Sequence, residues 1–190
     1  MHVTIGVLAL QGDFLEHIHV LRNMHVQTKE VRLPQDLEDI NGIIFPGGES
    51  TAIAYVMDVF KLREPLQNKI QEGMPVWGTC AGMILLAKKL RQDYPIPLGV
   101  MDIVVNRNAF GRQIDSFEAP LIVKPLGEKA LQATFIRAPV IESIGKNVEI
   151  LSQLADGTVV AAKQNNMLAT SFHPELHKDY RFHEYFISLV

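Results

Sequence analysis

Cys80 is the only cysteine in a chain of 190 residues, and it stands between Gly78 and Gly82 in PVWGTCAGMILLAKKL, residues 75–90. A G-x-C-x-G run where an apolar stretch gives way to a helix is the cysteine form of a nucleophile elbow. There a sharp turn holds the reactive side chain clear of its neighbours. The helix start adds positive potential that favours a thiolate. The plainer reading is a buried cysteine serving as a small hydrophobe.

A thiolate nucleophile works best beside an imidazole, and the chain has seven histidines. His173 ends the apolar run MLATSF and precedes Pro174, which disfavours a helical conformation at the histidine. It therefore falls at a strand's carboxyl end, where open α/β sheets place their sites. Glu175, two residues on, can accept a hydrogen bond from the ring and set its tautomer. The same His-Pro-Glu triplet also reads as an ordinary helix start. Of the others, His2 is terminal, His17 and His19 face different ways on a predicted helix, and His25 lies in a turn. His177 and His183 fall on a C-terminal helix, facing solvent. The spacing of His173, Glu175 and His177 matches no zinc motif, so no metal is expected.

The third element is FPGGEST, residues 45–51. The Gly47-Gly48 pair at a strand end can bring backbone N–H groups to a developing oxyanion. Alternatively it is a tight turn or an anion-binding helix start. It lacks the lysine of a phosphate-binding loop. Cysteine, imidazole, carboxylate and a glycine pair together suit acyl transfer.

Elements that alternate along the chain must position these groups. Val3 to Leu10 reads as a strand, Phe14 to Met24 as an amphipathic helix, and Val26 to Val31 and Gly42 to Phe45 as further strands. Helical patterns follow at 50–58 and 62–72, then a strand from Met74 to Gly78 and the helix after Cys80. Such alternation predicts a largely parallel sheet covered on both faces. From about Leu98 the runs MDIVVNRN, FEAPLIV, ATFIRAP, VEILSQL and TVVAAKQ are short and β-rich. They predict an antiparallel excursion in the second half, before MLATSF, HPEL and a closing helix to Ser188. The expectation is one three-layer α/β domain spanning 1–190.

Composition excludes several classes. Hydrophobic residues at 47% and charged residues at 21% suit an ordinary globular core. A net charge of -3 without charge blocks argues against nucleic acid or an anionic membrane as partner. One cysteine excludes an internal disulfide and multi-cysteine zinc sites. No secretory leader or membrane-length apolar run is evident, so a cytoplasmic protein is expected.

PGGES, GTCAGM and SFHPE, in that order, resemble the class I glutamine amidotransferases, whose fold is flavodoxin-like. LALQGDFLEH, RNAFGRQIDSFE and FIRAP narrow the resemblance to the glutaminase subunits of pyridoxal 5'-phosphate synthases, over nearly the whole chain. The resemblance implies a Cys80–His173–Glu175 triad that hydrolyses L-glutamine through a γ-glutamyl thioester, without a cofactor. It implies oxyanion donors at Gly47, Gly48 and Ala81, and glutamine contacts at Gly47, Gly48, Glu49, Arg107, Ile136 and Arg137. A carboxylate and guanidinium groups suit a free amino acid's two charges. The implied partner is a (β/α)8-barrel synthase subunit in a hetero-oligomer, combining ammonia with ribose 5-phosphate and glyceraldehyde 3-phosphate, with Gln11 near the contact. Two other readings share these motifs: a cysteine hydrolase acting on γ-glutamyl peptides, and a non-catalytic binding subunit.

Overall fold

The computed structural model describes residues 3–107 and 116–190. Most of the RNAFGRQIDSFE segment, 108–115, therefore lies outside the described residues. Strands β1 (Thr4–Leu8), β2 (Gln27–Val31), β3 (Gly42–Phe45) and β4 (Val76–Thr79) alternate with helices α1 (Phe14–Asn23), α2 (Ser50–Val59) and α3 (Arg63–Gln71). Helix α4 (Ala81–Leu86) follows β4, and strands β5 (Ala87–Leu90), β6 (Met101–Asn106), β7 (Ser116–Leu121) and β8 (Leu131–Ile136) come next. The chain closes with β9 (Val140–Ile144), β10 (Glu149–Gln153), β11 (Val159–Gln164), β12 (Met167–Thr170) and α5 (Arg181–Ile187).

The main sheet runs in the order β2-β1-β3-β4-β12-β11-β9-β6-β5, with β10 paired to β11. Its first five strands are mutually parallel. From β12 onward β11, β9 and β6 pair antiparallel, the predicted excursion, while β5 and β6 are parallel. Strands β7 and β8 form a separate antiparallel ribbon.

Alternation along the strands divides the core between the two faces. In β3, Ile43 and Phe45 join the cluster with Ile53, Met57, Leu66 and Met83 beneath α2, α3 and α4. Ile44 between them points the other way, into the cluster with Trp77, Ile18, Leu21, Phe182 and Phe186 beneath α1 and α5. The result is the three-layer α/β architecture. Two details depart from the sequence reading. Strand β5, absent from the sequence reading, follows the helix after Cys80 directly: the helix ends at Leu86, Ala87 turns extended (φ −54°, ψ 148°) and the chain pairs with β6. Strand β9, absent from the predicted runs, forms because Val140–Ile144 is zipped between β6 and β11. Among the described residues, no helix is long and apolar enough to cross a membrane.

Candidate active site

The carboxyl ends of β1, β3, β4 and β12 lie on one edge of the parallel half of the sheet. Chain order reverses across β1, so this edge contains the switch point where such sheets leave a crevice. Cys80 follows β4 with φ +48° and ψ −103°, a conformation an L-residue rarely adopts. Its N–H donates to the Thr170 carbonyl of the neighbouring strand at 2.8 Å, which ties the elbow down. The flanking glycines are sterically required. A Cβ on Gly78 would stand 2.5 Å from the Gly82 carbonyl carbon, and one on Gly82 would strike the Phe45 carbonyl. Cys80 is only 7% exposed, with Sγ 3.9 Å from the Ile136 carbonyl oxygen.

His173 follows β12 at φ −109° and ψ 82°, a non-helical backbone anchored by its N–H to the Thr134 carbonyl at 2.9 Å. Pro174 then starts a single 3₁₀ turn through Leu176, which folds Glu175 back under the ring. Glu175 Oε1 lies 2.7 Å from His173 Nδ1, and both side chains are buried. Burial is the largest influence on His173 and disfavours its charge. Hydrogen bonds with Cys80 and Glu175, and the negative charge of both, overcome it and lift the imidazole to about 10. The arrangement favours a proton on the ring. Asp13 Oδ2 lies 3.6 Å from the same Nδ1. Asp13, His173 and Glu175 have ligand atoms within 4.8 Å of one another, but a protonated, hydrogen-bonded Nδ1 offers no lone pair to a metal.

A cavity of about 460 Å³ opens above Cys80 and His173. Gln11, Gly48, Glu49, Arg107, Ile136 and Arg137, all predicted from the sequence, line it. Glu49 caps α2, accepting from Thr51 N–H at 3.1 Å and Ala52 N–H at 2.7 Å. Burial opposes its ionisation, yet hydrogen bonds from Thr51 and Ala52 and the charge of Arg107 hold its carboxyl below the usual range. Arg107 Nη2 lies 3.5 Å from Glu49, and its Nη1 donates to the Tyr94 carbonyl at 2.6 Å. Arg137, at φ +42°, also lines the cavity. Gly47 and Ala81 are buried behind the wall, Gly47 so close to His173 that a Cβ would meet its ring. Gln11 Oε1 accepts the Glu49 N–H at 2.7 Å, and Asp13 N–H donates to the Gly47 carbonyl at 3.1 Å. The turn after β1 is thus stitched to the glycine loop. Gly12, at φ +98°, permits it, since a Cβ there would strike the Gly47 carbonyl.

Asp13, Ser50 and Ile84 also line the cavity and were not singled out in the sequence. Asp13 had a signal in its place directly after Gln11-Gly12. Two histidine expectations need correction. His183 is fully buried, because α5 turns Phe182, His183 and Phe186 onto the sheet and His17 supplies a polar partner at 3.1 Å. His177 precedes α5, half-buried, with Nε2 2.7 Å from the Thr134 hydroxyl.

The sequence profile of the SNO glutamine amidotransferase family matches residues 7–190. A protein of Dehalococcoides mccartyi (strain CBDB1) called pyridoxal 5'-phosphate synthase subunit PdxT is 56% identical over 98% of this chain and 96% of its own length. One of the same name from Herpetosiphon aurantiacus is 54% identical over 98% of this chain and 100% of its own. A crystal structure described as a glutamine amidotransferase superposes with a TM-score of 0.91 at 45% identity, covering 97% of each chain.

Proposed function

The chain belongs to the SNO glutamine amidotransferase family, and from that membership we propose that it hydrolyses L-glutamine as the glutaminase subunit of a pyridoxal 5'-phosphate synthase. The observation that carries the reading is Cys80 and His173 together in a cavity walled by charges of both signs, with Glu175 buried behind the ring on His173 Nδ1.

In this mechanism His173 takes the proton of Cys80. The sulfur attacks the side-chain amide carbon of glutamine, and the carbonyl electron pair moves onto oxygen. Backbone N–H groups of the Gly47-Gly48 loop and of Ala81 stabilise that oxyanion. As the tetrahedral adduct collapses the C–N bond breaks. His173 gives its proton to the departing nitrogen, so ammonia leaves and a γ-glutamyl thioester remains. Neutral His173 then takes a proton from water while the water oxygen attacks the thioester. The C–S bond breaks, and glutamate and the Cys80–His173 pair are restored. Glu175 orients the ring throughout and offsets its positive charge whenever it holds two protons. Glu49 receives the substrate's α-ammonium, Arg107 and Arg137 its α-carboxylate, and Ile136 flanks the reacting end.

Ammonia has value only where something consumes it. The names of the relatives point to a synthase subunit as that consumer, and a (β/α)8-barrel is the form we assign to it. Gln11 lies on the cavity rim, where a docked subunit reaches the glycine loop. The chain acts as one domain in the cytoplasm, a compartment whose reducing chemistry keeps a lone catalytic thiol free.

The test is glutamate release from glutamine and from γ-glutamyl peptides, with the synthase subunit present, for the parent and for Cys80→Ala. Cys80-dependent release from glutamine alone is expected. Folded Cys80→Ala that releases glutamate at the parent rate overturns the assignment, and preference for the peptides replaces glutamine as substrate. The diazo-ketone analogue of glutamine should add to Cys80 and to no other residue, as located by mass spectrometry.

A further inference from the structure

Behind Glu175, on the side away from His173, lies a polar layer with no exposure to solvent. Glu175 Oε2 is buried and has no hydrogen-bond partner within bonding distance among the described residues. Facing it at 3.5 Å is Nε2 of His17, and both side chains are fully buried. His17 comes from α1, one helical turn beyond Asp13. Its Nε2 is also 3.2 Å from the hydroxyl of Thr79, the residue before the nucleophile, and its Nδ1 is 3.1 Å from Nε2 of His183 on α5. The edges of both rings abut Trp77, with centroids 5.5 and 4.9 Å away, which leaves them little freedom to turn.

The direction of these hydrogen bonds follows from counting protons. Burial, then the neighbouring His183 and His173, hold His17 well below the ordinary histidine range, and burial lowers His183 to about 3. Each ring is therefore neutral and carries one proton. Were the His17 proton on Nδ1, His183 would have to accept through Nε2. Its own proton would then sit on Nδ1, a buried atom without a partner. The His17 Nε2 lone pair would also face the Glu175 carboxylate. With the proton on Nε2 both conflicts vanish: His183 Nε2–H donates to His17 Nδ1, and His17 Nε2–H points between Thr79 Oγ1 and Glu175 Oε2. The one loose end is then an acceptor lone pair on His183 Nδ1, cheaper to bury unpaired than a donor.

We propose that His17, locked in this tautomer by His183 and Thr79, is a positioning residue for glutamine hydrolysis: its Nε2–H steadies the outer oxygen of Glu175 so that the inner oxygen stays on His173 Nδ1. The inference rests on the glutaminase reading. Burial raises the affinity of Glu175 for a proton, against the pull of His173. A neutral donor behind the carboxylate favours its charged form without competing for the His173 proton. Loss of the donor leaves a buried anionic oxygen uncompensated, and the carboxylate gains reason to rotate or to take up a proton.

The experiment measures kcat and KM for glutamine, in complex with the synthase subunit, for the parent, His17→Phe and His17→Gln, with melting temperatures alongside. His17→Phe keeps the ring shape without the donor and should lower kcat about tenfold or more while KM stays within about twofold, as expected when orientation rather than binding is lost. The Nε2 of His17→Gln reaches the same place and should recover most of the loss. A folded His17→Phe with parent kcat overturns the inference, as does a folded His17→Gln no better than His17→Phe. Should His17→Phe not fold, His183→Phe against His183→Gln asks the same question one bond further out, with the same ordering expected and equal rates overturning it. A parent without Cys80-dependent glutaminase activity overturns the functional reading itself, whereas an active parent beside an unaffected His17→Phe overturns this inference alone.

Discussion

Glu175 and His173 share one hydrogen bond yet carry unequal parts of the chemistry. In the proposed mechanism His173 moves the proton, so His173→Ala should reduce glutamine turnover to background in the assembled enzyme. Glu175→Gln keeps nucleophile and base and loses the counter-charge. A loss of roughly 10²–10⁴ in kcat is expected, smaller than that of His173→Ala in the same stopped assay. The buried histidines behind them make a pH prediction. An unfolded histidine titrates near 6.5, whereas burial holds His183 at about 3 in the fold. Its folded-state value is depressed, so the stability tied to it is complete above about pH 6.5 and is lost as pH falls toward 3. His173 has the opposite sign: raised to about 10, its contribution is complete below about pH 6.5 and is lost as pH climbs toward 10. Urea unfolding between pH 5.5 and 4 should therefore show stability falling with acid. In His183→Gln the slope should be shallower by one proton's worth, about 1.4 kcal/mol per pH unit. Equal slopes in parent and variant would show that His183 takes up its proton in the folded state.

At the scale of elements, strand β4, the elbow and α4 pack so closely on β3 that glycine is the only residue that fits at two positions. Gly82→Ala places a methyl group on the Phe45 carbonyl. The expected cost is about 3 kcal/mol of stability, with Cys80 displaced and turnover lost. Chemical denaturation and glutaminase assays on the same preparation check both halves. Helix α2 offers a cleaner separation of roles, because its cap, Glu49, is also a charge on the cavity wall. Glu49→Ala removes the acceptor for Thr51 and Ala52 and should cost about 1 kcal/mol. It should raise KM as well. Glu49→Gln retains an acceptor oxygen and loses only the charge, so its KM should rise while its melting temperature stays near the parent's. A Glu49→Gln variant with unchanged KM would remove Glu49 from the ammonium contact.

The whole molecule presents its site at an edge where a second subunit can reach it. Gln11 grips the backbone of Glu49, Gly12 presses on Gly47, and Asp13 holds the Gly47 carbonyl. A partner touching the turn after β1 thereby touches the glycine loop, the proposed source of oxyanion donors. A missing oxyanion donor costs about 10²–10³ in rate. The isolated chain should accordingly be a poor glutaminase that the synthase subunit activates by about that factor, provided the partner's contacts favour the competent loop state. Comparing kcat/KM with and without the subunit, for the parent and for Gln11→Ala, checks this. Full activity in isolation removes the gate, and unaltered activation of Gln11→Ala moves it away from this turn.

Much of this was legible in the chain itself. Local rules of turn and strand were enough to mark Cys80, His173 and Glu175. An elbow needs glycines two residues to either side, and Pro174 disfavours a helical histidine before it. Alternating strands and helices announced the parallel half of the sheet, because that pattern buries both faces only one way. What the chain could not announce was contact between distant segments. Asp13 and His17 reach His173 and Glu175 only because β1 and β12 lie in one sheet with β3 and β4 between them. His183 read as solvent-facing since a helix of about two turns with mixed residues has no fixed inner face until something packs against it. Tertiary structure chose that face by setting Phe182 and Phe186 on Trp77. The same packing leaves a neutral imidazole in the dark behind the carboxylate, where its one proton has a single favourable place to be.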